Sequence, residues 1–471
     1  MISTDSPTHT DAPTDANATS MSNVKLVPLS TSEEEYAIAS LQQFLRFPTV
    51  SITSPSTGAY VDCANYILEE LASLRVLQDI HILPESPDHS PVVVAHWLGS
   101  QPELPVILLN SHYDVVPAAS EDWTEPPFEG LRKGGRIYGR GAQDMKCVCI
   151  QYMEALRYLV SQDFQPTRSI YLTFVPDEEV GGSGMAAFLD SKLYKDQLPG
   201  VALALDEGLA STDDVFSVFY GERLPWWIDV TAYGNTGHAS RFIDNTAVEQ
   251  LLELANKALA FRQGQRSLLF ANPDHENCAH AVAAKKTLGD VTSLNITTLQ
   301  AGVQVGNTFA YNCVPPVASC SLDIRISPKV PPSKISDMLD LWCHECSKSD
   351  ESKVTWKFIE GQHGKATNDM QQHATTSTDT AVNPWYGVFL KSLESMHLKV
   401  NPQVFPAATD SRFLRALGVR ALGFSPMRNT EIMLHENDEY IPESTFLEGI
   451  AIYVGLIRDL SSQHHLPGID P

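Results

Sequence analysis

The sequence predicts an α/β protein built on a mostly parallel sheet, with a second, smaller α+β unit inserted into it. Three observations predict this. Short apolar runs at 92–96, 106–109, 170–175 and 201–205 are continuous rather than alternating, as strands buried on both faces are. A helical stretch over 145–162 separates the second run from the third, the arrangement of parallel strands joined by a crossover. From about Tyr220 the pattern changes to strand 226–232, helix 246–261, strands 291–299 and 317–326, helix 333–347 and strand 353–359. That β-α-β-β-α-β order is the split βαβ, ferredoxin-like module.

The remaining elements follow in order. Residues 1–24 are rich in Ser, Thr, Asp and Pro, without the basic start and apolar stretch of a secretory signal, and read as a disordered tail. Ser32-Glu33-Glu34-Glu35 resembles a capping box, and Ile38, Leu41 and Leu45 keep helical spacing up to Pro48. A second helix is expected over 61–74. Polar loops are expected at 272–286 and 362–380. The closing part returns to α/β character, with strand-like 421–424 and 431–434 and a helix over 444–460. The 471 residues thus divide into a catalytic domain at 25–221 and 362–471 and an inserted domain at 222–361.

Composition narrows the function. The formal charge of −24 and the pI near 4.9 argue against nucleic acid or an anionic membrane surface as main partner. No apolar run reaches the roughly 18–20 residues of a membrane span. Eight Cys without regular spacing exclude a disulfide scaffold and point to free thiols in a reducing compartment, the cytoplasm. Cys343-x-x-Cys346 lies in a helix-like apolar stretch and reads as a helix face rather than a metal or redox pair.

The informative feature is where His, Asp and Glu fall. Apolar runs lead into His112-Tyr-Asp114, into Asp177-Glu178-Glu179, into Asp206-Glu207 and into His435. In an open α/β sheet, ligands bind at the carboxyl ends of the strands. The glycine-bearing loop Gly139-Arg-Gly-Ala-Gln-Asp144 brings Asp144 to the same edge. Singly, each residue has an ordinary reading: a structural histidine, a solvated acidic turn, a helix cap. Together, the five candidate ligands His112, Asp144, Glu179, Asp206 and His435 would repel one another unless cations sat among them. Mixed nitrogen and oxygen donors suit Zn²⁺, and also Co²⁺ or Mn²⁺. Five residues exceed the need of one ion and match a two-metal site bridged by Asp144. If Glu179 binds metal, Glu178 hangs beside the activated water as a general base, and Asp114 orients His112.

These segments resemble the dinuclear zinc amidohydrolase/peptidase family of acetylornithine deacetylase and carboxypeptidase G. The motifs are Asn110-Ser-His-Tyr-Asp-Val-Val-Pro117, Gly139-Arg-Gly-Ala-Gln-Asp-Met-Lys146, Pro176-Asp-Glu-Glu-Val-Gly-Gly182 and Ala204-Leu-Asp-Glu-Gly-Leu-Ala210. Phe219-Tyr-Gly-Glu-Arg223, Pro225-Trp-Trp227, Gly237-His-Ala-Ser-Arg-Phe242, Pro406-Ala-Ala-Thr-Asp410 and Gly423-Phe-Ser-Pro-Met427 extend it. The resemblance covers about 30–460 and implies a metallopeptidase-like catalytic domain with an inserted lid/dimerisation domain, in a homodimer. It implies His112, Asp144 and Asp206 on one zinc and Asp144, Glu179 and His435 on the other, with Glu178 as base. His238 would reach the partner subunit's site to stabilise the oxyanion. Asn312, Arg325 and Arg412 would contact substrate, Arg412 at its carboxylate. A cis peptide is implied after Asp144. The implied activity is hydrolysis of N-acyl-L-amino acids; carboxypeptidase or dipeptidase action on the same scaffold and a non-catalytic binding role are the alternatives. Residues 272–286, 303–307 and 362–380 depart from the family pattern by being longer.

Overall fold

The computed structural model describes residues 26–270, 286–359, 372–464 and 466. The tail at 1–24, most of the loop at 272–286 and much of 362–380 lie outside them.

In chain order the strands of the two main sheets are β1 (Gln78–Ile82), β2 (Val93–Trp97), β3 (Val106–His112), β4 (Ile170–Val175), β5 (Val201–Asp206), β6 (Phe216–Glu222), β7 (Leu224–Tyr233), β8 (Ser293–Ala301), β9 (Val317–Ile326), β10 (Val354–Phe358), β11 (Val400–Phe405) and β12 (Ala421–Gly423). The principal helices are α1 (Thr31–Leu45), α2 (Ala59–Ser73), α3 (Lys146–Ser161), α4 (Ala247–Phe270), α5 (Pro332–Cys346), α6 (Pro384–Ser395) and α7 (Glu443–Ser461).

The large sheet has eight strands in the order β1-β2-β4-β3-β5-β12-β6-β11. Its centre, β4-β3-β5-β12, is parallel. The run at 92–96 is a strand, but β2 pairs antiparallel with both β1 and β4. The link from β1 to β2 is too short to hold a crossover, so the chain can only double back. The edge strand β11 and its neighbour β6 were not read from sequence, because Asn401, Pro402 and Gln403 break the apolar pattern.

The continuous runs have a direct cause. On β2, Val93 and Ala95 enter the core under α1, α2, α3, α6 and α7, whereas Val94, with Val92 just before the strand, enters a thinner core with Met185 and Phe188 on the other face. Successive side chains point to opposite faces, and both faces are covered, so every position is apolar. Helix α3 is buried over most of its length and packs on α7. Gly449 on α7 leaves room for the Gln151 amide of α3, which a Cβ there would displace. The cap of α1 is Ser30, not Ser32: Ser30 Oγ accepts the N–H of Glu33 and the Glu33 carboxylate accepts the N–H of Ser30. The box lies two residues earlier than expected, and Glu35, the acid of the expected box, is paired instead with Arg132.

The second sheet is antiparallel, in the order β8-β9-β7-β10. With α4 and α5 it follows the β-α-β-β-α-β order and has its own core, including Ile228, Val230, Leu254, Leu322, Ile324 and Leu339. Burial alternates along β7 and β9, since helices cover one face only. Cys343 and Cys346 lie on the buried face of α5 as unpaired thiols. Residues 303–307 lie in and beside a small exposed hairpin, Gln304–Val305 with Thr308–Phe309. One residue, Arg223, separates β6 from β7. Its Nε donates to Pro406 O at 2.7 Å and its Nη1 to Ser293 Oγ at 2.9 Å. Among the described residues, no helix is long and apolar enough to cross a membrane.

Candidate metal centre

The carboxyl ends of the parallel strands converge. His112 is the last residue of β3, Glu178 and Glu179 form the turn after β4, and Glu207 follows β5. Asp144 ends the loop before α3, and its peptide bond to Met145 is cis, as expected. His435 comes from an irregular segment with a left-handed backbone (φ 63°); residues 431–434 are not a strand, contrary to expectation. Tyr440–Pro442, just beyond, pairs instead with Arg136–Tyr138.

Two sets of ligand atoms result, each within 4.8 Å of one another: His112, Glu178 and Glu207, and Asp144, Glu179 and His435. Asp144 joins them. Its Oδ1 is 3.1 Å from His112 Nε2 and its Oδ2 is 3.2 Å from His435 Nε2. His435 Nε2 is also 3.2 Å from Glu179 Oε2, and Glu207 Oε2 lies 3.6 Å from His112 Nε2.

Asp206, expected among the ligands, lies outside both sets. Its Oδ1 accepts Asn110 Nδ2 at 3.0 Å, and its Oδ2 accepts the N–H and the hydroxyl of Ser411 at 2.8 and 2.7 Å. It holds β3 and the helix at Ser411–Ala416 in place, while Glu207 faces His112. Successive side chains at a strand end point to opposite sides, so only one of the adjacent pair can serve the cluster, and the sequence alone does not say which.

Asp114 is fully buried beneath the site. His112 Nδ1 lies 3.0 Å from its backbone oxygen and 3.4 Å from its Oδ1. The same carboxylate accepts the N–H groups of Glu178 and Glu179 at 3.1 and 3.2 Å and the hydroxyl of Ser51 at 2.8 Å. One residue therefore orients the imidazole, leaving Nε2 directed at the cluster, and fixes the acidic turn.

The charge balance shows what these groups need. Burial and the charge of Glu207 push Glu178 well above the usual carboxylate range. Burial and the charge of Asp144 do the same to Glu207, and push Glu179 up to about 7. Asp410, also fully buried near Glu178, is pushed up to about 7 by burial and by Asp206. Burial works the same way on Asp144, but the His112 and His435 imidazoles outweigh it and hold its carboxyl below the ordinary value. Burial would lower His112, yet Asp114, Asp144 and Glu207 raise it well above the histidine range; hydrogen bonds to Asp144 and Glu179 push His435 up to about 10. So dense a set of acids resists ionisation unless positive charge lies among them. The acids raise both imidazoles toward the charged form, and two divalent cations would supply the positive charge while leaving the Nε2 lone pairs free to coordinate. The donor set fits a two-metal group.

The other expected residues stand apart from this cluster. His238 is exposed, in a two-residue strand paired with Cys313–Val314, and its Nδ1 is 2.7 Å from Ser240 Oγ. Asn312 sits beside it, its backbone oxygen accepting the Ala239 N–H at 2.8 Å. Arg325 is paired with Asp323 at 2.7 and 3.0 Å. Among the described residues no hydrogen bond or ion pair joins these three to the ligand sets within the chain. Arg412 does approach: Nη1 donates to Thr409 O at 3.0 Å and stands 3.8 Å from Glu178 Oε1.

The chain resembles known proteins over most of its length. It is 42% identical to aminoacylase-1 of Mus musculus over 439 residues, covering 92% of this chain and 98% of that one. Aminoacylase-1 of Dictyostelium discoideum is 39% identical over 437 residues, covering 92% and 99%. In fold it resembles the solved dipeptidase Dug1p of Saccharomyces cerevisiae, with a TM-score of 0.63 and 16% identity over 92% of this chain and 97% of that one. The model of peptidase family M20/M25/M40 matches residues 108–459, a span that contains every residue of both ligand sets, and the chain belongs to that family.

Proposed function

We propose that this protein is a metal-dependent amidohydrolase that cleaves N-acyl-L-amino acids to a carboxylate and a free L-amino acid. The observation that carries the reading is the pair of ligand sets joined by Asp144, with Glu178 at their edge. Extensive likeness to aminoacylase-1 from two distant organisms supports the substrate class. His112, Glu207 and Asp144 would hold one cation, and Asp144, Glu179 and His435 the other; nitrogen and oxygen donors suit Zn²⁺, with Co²⁺ or Mn²⁺ as substitutes. Bound there, the cations supply Lewis acidity toward water and toward the scissile carbonyl.

The side chains do the rest. Glu178, the member of its set left free to act, takes a proton from the attacking water and returns it to the leaving amine. Asp114 keeps His112 and the Glu178 turn in register. Arg412, next to Glu178, meets the substrate carboxylate with its planar fork. Among the described residues no hydrogen bond or ion pair joins His238 to its own ligand sets, which supports a homodimer in which it serves the partner's site, the inserted unit acting as lid and dimer contact. Asn312, beside His238, would share that task, and Arg325 would give up its Asp323 partner to do so. The free thiols support a cytoplasmic setting.

The test is a rate panel on N-acetylmethionine, other N-acyl amino acids and dipeptides, with and without chelator. We expect the acyl amino acids to be cleaved fastest and chelator to abolish turnover. Faster cleavage of dipeptides would replace this reading with a dipeptidase.

A further inference from the structure

Glu439 is fully buried and belongs to neither ligand set, yet its carboxylate is saturated with partners. Oε1 accepts the backbone N–H groups of Gln143 at 2.7 Å and Asp144 at 3.3 Å. Oε2 accepts the N–H of Gly141 at 3.0 Å and Arg140 Nη1 at 2.8 Å. The loop that carries Asp144 is thus wrapped around a single acid. Arg140 extends the link, donating from Nη2 to His435 O at 3.3 Å and from Nη1 to Glu436 O at 3.1 Å. Gln143 closes it: Nε2 donates to Glu431 O at 2.9 Å and Tyr440 O at 2.8 Å, and Oε1 accepts the Met433 N–H at 3.0 Å. Every one of these bonds runs between the Asp144 loop and the segment that bears His435. Those two ligands are far apart in the chain, and neither is set by a strand ladder.

We propose that Glu439 is a positioning residue of the metal centre: acting through Arg140 and Gln143, it fixes Asp144 against His435 and thereby sets the affinity of the Asp144, Glu179 and His435 set for its cation. The proposal rests on the metal-centre reading above. Groups that orient metal ligands typically change metal affinity by about 10- to 100-fold when removed.

The experiment is calorimetric titration of the chelator-stripped full chain with Zn²⁺, and with Co²⁺ followed by its visible absorption. In Glu439→Gln, which keeps the size but turns one acceptor into a donor facing N–H groups, one of two binding steps should weaken by about 10- to 100-fold. The Co²⁺ spectrum of that step should change while the other step keeps its affinity, and the metal-free protein should melt lower, since a buried acceptor of four donors is altered. Arg140→Lys keeps the charge but loses the fork that spans Glu439 and His435, and should weaken the same step by less. Unchanged affinity at both steps, or equal weakening at both, would overturn the proposal. If Glu439→Gln does not fold, unchanged affinity in Arg140→Lys overturns it alone. Failure of the unaltered chain to bind any divalent cation is a separate result, and sinks the metal-centre reading instead.

Discussion

Asp206 and Glu207 are neighbours with the same charge and opposite tasks. Asp206 spends its carboxylate on Asn110 and Ser411, whereas Glu207 stands 3.6 Å from His112 Nε2. Glu207→Gln should therefore lose one cation per chain by metal analysis. Asp206→Asn should keep both and show its cost as lowered thermal stability, since a buried acceptor of two Ser411 donors is altered. Glu178→Gln should retain both cations while kcat on N-acetylmethionine falls by about 10²–10⁴-fold, the usual worth of a general base; near-normal turnover would show that the base is another group. Away from the site, Glu154 provides a pH test. Burial, partly offset by Arg157, pushes its carboxyl up to about 7. A folded-state value above the ordinary 4.5 means the native chain binds that proton more tightly than the unfolded chain. Stability from this group is thus lost as pH rises from about 4.5 through 7. Glu154→Gln should flatten the curve, with a relative gain on the order of 2 kcal/mol at pH 8 over pH 5 in urea denaturation.

At the scale of elements, the small sheet with α4 and α5 stands on its own core, and Leu339 lies fully buried within it. Leu339→Ala should cost about 2–5 kcal/mol, visible as an early transition of that unit in chemical denaturation. The order of elements in this unit was legible because each strand or helix carries its own period: alternation on β7 and β9, three-to-four spacing on α5. The central strands of the large sheet were legible for the opposite reason, since burial on both faces leaves no polar position. What was not legible depended on partners distant in sequence. Residues 431–434 look like a strand because Ile432, Met433 and Leu434 are apolar, yet their backbone bonds the Gln143 amide rather than a ladder. Val400–Phe405 is a strand although Asn401 and Gln403 interrupt it, because an edge strand pairs on one side only. The rule of strand ends brings His112, Glu178 and Glu179 together and the glycine loop adds Asp144; the choice between Asp206 and Glu207 is not legible, because a side-chain direction at a strand terminus depends on register and not on residue type.

For the whole molecule, the exposed His238, without a bond to its own ligand sets among the described residues, makes a dimer the arrangement to test. Subunits carrying His238→Ala mixed with subunits carrying Glu178→Gln should regain part of the activity that each lacks alone, because one hybrid site then has both residues. A verified heterodimer without any regain would remove His238 from the chemistry.

Arg223 adds a mechanical aspect. One guanidinium grips a carbonyl next to β11 and a hydroxyl at the head of β8, at a pivot one residue long. Any swing of the small sheet against the large one at this pivot works against these two bonds, so a single side chain couples the two bodies at the point where the chain passes between them.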